Sequence, residues 1–154
     1  MTQQNGPRMK ASIDDLGIFK SPEHLQGDGI ELILTERYFY SSDRSPSYEF
    51  TIRVGNENAG SCTVLIQPDF SKVDEIGNIG MELHRKFHGK HITSKAIGAT
   101  FTAFASHRQK SILVTHNRKD GAVKIAAEEL HGQYIEDYES GDGKVQKKRF
   151  VVNF

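Results

Sequence analysis

The chain has one cysteine, Cys62, so it can form no internal disulfide. It has no excess charge of either sign: 20 Lys and Arg balance 20 Asp and Glu, and no global field draws it to nucleic acid or to an anionic membrane. Partners must therefore be read from local patches. No apolar run approaches the roughly 20 residues that cross a bilayer, and the polar stretch Met1 to Lys10 lacks the apolar core of a secretory signal. These absences lead to the expectation of a cytoplasmic protein without membrane or nucleic-acid partners. Neither an internal repeat nor a low-complexity tract is found, and 154 residues suit a single domain with a real core.

What is present is a change of period along the chain. Residues 1–27 are rich in Gln, Asn, Gly, Pro, Ser and Asp and read as a loose leader, apart from the Ile13, Leu16, Ile18 and Phe19 cluster. Ile30 to Leu34 reads as a strand and Ser41 to Pro46 as a loop. Tyr48, Phe50, Ile52 and Val54 alternate with Glu49, Thr51 and Arg53, the pattern of a half-buried strand. Asn56 to Gly60 then predicts a hairpin loop of moderate length before a returning strand, Cys62 to Ile66. A further strand is predicted over Glu75 to His84, with Gly77 and Gly80 marking a bulge or a close approach.

From Ile92 to His107 the apolar residues recur at helical spacing, and Ile112 to Val114 reads as a strand buried on both faces. A second helix is expected from Asn117 to Leu130, followed by strands over Gln133 to Glu139 and Arg149 to Phe154 around the Gly141–Gly143 turn. The order predicts an α/β (α+β) domain over residues 28–154, a mixed, mostly antiparallel sheet with a central βαβ crossover flanked by helices. Ligands of such sheets bind beyond the carboxyl ends of the strands, where His84 to Thr93 and Thr115 to Asp120 lie.

The stretch Leu83-His84-Arg85-Lys86-Phe87-His88-Gly89-Lys90-His91-Ile92-Thr93 carries the chemistry. A strand that opens directly into a helix leaves the first helical N–H groups without intrahelical partners, and with the macrodipole they form an anion site. Lys86 and Lys90 add positive charge, and Gly89 permits close approach of a phosphate. The ordinary alternative for both lysines is a solvated loop.

Here the chain resembles the GNAT superfamily of acyl-CoA-dependent N-acetyltransferases, over about Tyr48 to Phe154. The residues just quoted sit in the register of the family pattern hydrophobic-His-Pro-x-Tyr-Arg-Gly-x-Gly-x-Ala. A second pattern, Asn-Pro-x-Asn, a small residue and Glu-x-Leu-Gly, lies over Asn117-Arg118-Lys119-Asp120, Ala122 and Glu128-Glu129-Leu130-His131. The resemblance implies acetyl-CoA as co-substrate, held by Met81, Leu83, His84, His88, Gly89, Lys90, His91, Ile92, Thr93, Asn117 and Asp120. It also implies an oxyanion donor at a backbone N–H near Leu83, freed by a bulge in its strand.

The chain departs from the pattern at several positions: His91 replaces the second glycine, Asp120 an asparagine, Val123 a serine, Ala127 a tyrosine that serves as acid, and His131 the closing glycine. His91 is compatible with the turn if its φ is negative.

For transfer to a primary amine, a protein N-terminus, lysine or small amine, the resemblance implies Glu82 as general base, where related enzymes often place a strand carboxylate, and His116 is the second candidate. Their ordinary alternatives are a solvated carboxylate and a hydrogen-bonded histidine. A rival class is a non-catalytic acyl-CoA-binding or partner-binding module on a degenerate site. A third, a metal site at His84, His88 and His91, is disfavoured because Gly89 breaks the helix those spacings need and no cysteine completes a ligand set. No metal is expected, and a homodimer is left open.

Overall fold

The computed structural model describes residues 7–73, 76–89, 91–117, 121–139 and 146–154. Among these the chain forms nine strands and two α-helices. The first sheet holds β1 (Arg8–Lys10), β2 (His24–Gln26), β3 (Ile30–Tyr40), β4 (Pro46–Val54), β5 (Glu57–Leu65) and β6 (Ile79–Leu83). Helix α1 (Ile92–Ser106) leads to the second sheet, made by β7 (Ser111–Asn117), β8 (Gln133–Glu139) and β9 (Gln146–Asn153), with α2 (Gly121–Glu129) between β7 and β8. The strand order is β1-β3-β4-β5-β6 with β2 also on β3, and β7-β9-β8.

The alternation seen in the sequence does what it predicts. Tyr48, Phe50 and Ile52 of β4 point into the core with Leu32 of β3 and Cys62 and Val64 of β5, against Ala96, Ile97, Ala103 and Phe104 of α1. Ile112, Leu113 and Val114 of β7 are all buried, as expected of a strand covered on both faces. Burial pushes the Cys62 thiol up to about 12.

Four expectations change. First, residues 7–27 are not a loose leader: β1 and β2 pair antiparallel with β3, and Leu25 is 2% exposed. The buried Tyr48 fastens the rest, because its hydroxyl accepts from the Lys20 and Ser21 amides at 2.9 and 3.0 Å. That hydroxyl donates in turn to His107 Nε2 at 2.6 Å, a ring whose pKa burial lowers. Second, the hairpin turn is shorter than expected. Arg53 and Val54 pair with Asn58 and Glu57, so only Gly55, at φ +61°, and Asn56 connect the strands. Third, the last strand starts earlier than expected: β9 begins at Gln146 rather than at Arg149, which is 7% exposed.

Fourth, the crossover β6–α1–β7 connects two sheets rather than two parallel strands of one. Every ladder among the described residues is antiparallel, and β6 and β7 share none. The chain just before β6 touches β7 at an isolated bridge, Gly77 to Val114. Gly77 has φ +85°, and a Cβ there would stand 2.7 Å from the Leu113 carbonyl oxygen, so glycine is required. Asn78, fully buried, completes the join: its side-chain amide donates to the Leu65 and Gln67 carbonyls and its Oδ1 accepts from the Leu113 amide. Beyond this point the two strands part.

Candidate functional site

Among the described residues, the parting leaves one edge of β6 without a strand partner. Asn78 O accepts from Leu65 N, and His84 N donates to Ala59 O, which sets the phase of the β5–β6 ladder. By period-2 alternation the even residues of β6 bond to β5, and the N–H and C=O groups of Ile79, Met81 and Leu83 face the gap. The N–H near Leu83 is therefore available, but not because β6 bulges. The β5–β6 register runs unbroken from Gly60–Leu83 to Val64–Ile79, and the irregularity lies between β4 and β5, where Ala59 has no partner. Gly60, at φ +151°, is compelled there, since a Cβ would stand 2.0 Å from the Glu82 carbonyl oxygen.

The gap leads to the start of α1. The first i→i−4 bond of the helix is Lys95 N to His91 O, so the amides of Ile92, Thr93 and Ser94 precede it. Gly89 has φ +74° and open space around its missing Cβ. His91, which caps the helix, has φ +58°, so the condition of a negative φ is not met. The chain keeps a glycine's backbone there with a histidine in place, a conformation that costs about 1 kcal/mol or more. His131 repeats this at φ +59°: its N–H bonds to Glu128 O and that of Gly132 to Ala127 O, the paired bonds that close a helix on a left-handed residue.

The histidines of the turn do not converge on a metal. His84 Nδ1 pairs with the Asn58 carbonyl at 3.1 Å, His88 Nε2 with the Leu83 carbonyl at 3.0 Å, and His91 Nδ1 with the Glu129 carboxylate at 2.9 Å. No group of three metal-capable side chains occurs among the described residues. With Nδ1–H donated to a carbonyl, His84 presents Nε2 as an acceptor. Lys86 is paired with Glu57.

The pairing of Glu129 with the turn is a feature that sequence reasoning missed. The His91 hydrogen bond, with charge from His91 and Lys95, holds its carboxyl below the usual range. With Gly89, Ile92, Thr93 and Ser94 it encloses a pocket of about 80 Å³ at the start of α1. The same ion pair borders a larger groove, about 570 Å³, between Gly98 of α1 and the Gln26–Asp28 loop. No rule of spacing identifies a carboxylate that lies 38 residues downstream of its partner His91.

Glu82 lies on the other face of β6, exposed, with no hydrogen bond or ion pair among the described residues. It borders a cleft of about 540 Å³ together with Thr51, Asn58, Ser61, Met81, Leu83, His84 and His88. Ala127 is fully buried and offers no proton donor. The strand β7 ends at Asn117, but the His116 and Asn117 side chains, Lys90 and Asp120 lie outside the described residues.

No protein-family model matches the chain, and no curated protein does. Solved structures do match. A protein assigned as an acetyltransferase in T. thermophilus is 14% identical with a TM-score of 0.59, over 86% of this chain and 89% of that one. The Salmonella typhimurium enzyme that modifies the N-terminal serine of ribosomal protein L7/L12 is 18% identical with a TM-score of 0.56, over 70% and 64%. The microcin C7 self-immunity acetyltransferase MccE, solved with acetyl-CoA and AMP, is 16% identical with a TM-score of 0.53, over 70% and 61%. This chain thus spans less than two thirds of the length of the last two. At these identities the likeness establishes the fold, and that fold is the GNAT acetyltransferase fold.

Proposed function

We propose that the chain is an acetyl-CoA-dependent N-acetyltransferase acting on a primary amine, its catalytic domain spanning residues 28–154 with the strands of residues 7–27 built onto it. The observation that carries this reading is the unpaired edge of β6, opposite the diverging β7, running straight into the amides at the start of α1. An extended amide-bearing arm ending in a diphosphate matches both parts: strand-like hydrogen bonds at Met81 and Leu83, and phosphate at residues 88–93. The buried Cys62 thiol is consistent with a reducing cytoplasm, and no described helix is long and apolar enough to cross a membrane.

In this reading the amine nitrogen bonds to the acetyl carbon as the C–S bond breaks. One ammonium proton passes to Glu82, which releases it to solvent, and the other to the departing sulfur, giving the free thiol and the amide. With Ala127 buried, water delivers the second proton, which a thiolate of pKa near 8.5 tolerates. An amide N–H on the open edge of β6 would polarise the thioester carbonyl.

The module reading draws on a specific observation as well: His88 fills the Leu83 carbonyl and Glu129 sits beside the amides that would meet phosphate. Calorimetric titration of acetyl-CoA decides between them. Micromolar binding to wild type, lost in Gly89→Glu and retained in Gly89→Ala, with thiol release on adding an amine, is the result expected of the enzyme. Absence of binding to wild type overturns it, and binding without thiol release over a broad amine panel leaves the module.

A further inference from the structure

The outer face of the first sheet, away from α1, carries a row of side chains set by strand register. Thr51 of β4 is directly opposite Ser61 of β5, and Ser61 is directly opposite Glu82 of β6. Residues directly opposite share a face, so two hydroxyls and a carboxylate stand in line at intervals of about 5 Å. None of the three side chains has a hydrogen-bond or ion-pair partner among the described residues. Their charged neighbours on the same face are all engaged: Glu31 with Gln26, Arg53 with the Asn56 carbonyl, Glu49 with Arg8, and Glu36 with Lys10.

This row forms the floor of the cleft of about 540 Å³, whose remaining polar walls are Asn58, His84 and His88. The two apolar residues at its border, Met81 and Leu83, alternate to the opposite face and pack against the core. On the same face Ile33 of β3 stands directly opposite Thr51 but is not part of the cleft lining, so the row itself is polar.

We infer that the acceptor is a small polyhydroxylated primary amine, its ammonium at Glu82 and its hydroxyls on Ser61 and Thr51. This deepens, and rests on, the acetyltransferase reading. The carboxylate attracts the cationic nitrogen and takes its proton, while Ser61 and Thr51 each donate to and accept from a substrate hydroxyl. Replacing the hydroxyls by hydrogen leaves the two protein groups without that exchange, a loss of up to about tenfold in affinity for each.

The test compares glucamine with hexylamine, the same carbon chain without hydroxyls. Backbone amide shifts at residues 51, 61 and 82 are followed by NMR without donor, and kcat/KM is then measured with acetyl-CoA. Glucamine is expected to shift these amides where hexylamine does not and to be the better acceptor by at least about tenfold. In Ser61→Ala and Thr51→Ala the KM for glucamine rises, kcat changes little, and hexylamine is used as before. Equal shifts with both amines, or a preference that survives both substitutions, overturns the inference while leaving acetyl transfer intact. Failure of wild type to bind acetyl-CoA overturns the activity instead, and the donor-free shifts still decide which amine the row prefers.

Discussion

The start of α1 and the outer face of β6 flank the same strand but are prepared differently. At the start of α1 the chain's own side chains hold the polar positions: His91 on Glu129 beside a pocket of about 80 Å³, and in the turn before it His88 on the Leu83 carbonyl and Lys86 on Glu57. On the outer face Thr51, Ser61 and Glu82 are free of partners among the described residues, over a cleft of about 540 Å³. Hydrogen bonds made on binding at the first region displace protein partners, whereas at the second they displace only water. A donor must displace contacts to enter; an acceptor meets groups already waiting.

Substitution at Gly89 should break this contrast most strongly. A Gly89→Glu carboxylate about 4 Å from a diphosphate costs about 3 kcal/mol, or about 100-fold in acetyl-CoA affinity by calorimetry, with the outer face unaffected. Glu82→Gln tests the other region. It should lower kcat by about 100-fold while acetyl-CoA affinity stays at the wild-type value, and an equal loss of affinity would contradict the separation of the two regions. Glu129→Gln sharpens the contrast, because removing the resident anion should tighten acetyl-CoA by about fivefold at low salt and less at high salt. Unchanged affinity would mean that Glu129 does not oppose the donor.

The smallest effect concerns His131, whose φ of +59° suits glycine. His131→Gly should raise the urea midpoint, by about 0.5 to 1 kcal/mol in stability, with no change in acetyl-CoA binding.

Much of this was legible in the sequence because it depends on period. The alternation of Tyr48 to Val54, the apolar Ile112 to Val114 and the helical spacing from Ile92 each record which face meets the core. The resemblance carried the turn and the order of elements, and the fold agrees with it.

What escaped depends on single contacts. The N-terminal segment looks disordered by composition, yet Leu25 in the core and two amides on the Tyr48 hydroxyl fasten it. Thr35 to Tyr40 extend β3 past its apolar half because β1 and β4 pair with them, which no local pattern records. The left-handed backbones at His91 and His131 were signalled only by the glycines that the family pattern has there, since histidine itself carries no sign of φ, and the Glu129 pairing escaped because it links distant segments. Of the candidate site, the residues of β6 and the turn stand beside one another, while Glu129, Thr51 and Ser61 emerge only from the folded register.

Asn78 makes one more property of the molecule intelligible. Its amide and carbonyl are the rivet through both sheets, so the slot between β6 and β7 behaves like the jaws of tongs closed at one end. Widening can occur only toward Leu83 and Asn117, and the Leu113 amide, held by the Asn78 side chain, exchanges its hydrogen only when the rivet itself fails. The slot's mouth can therefore breathe around a guest while its hinge stays fixed.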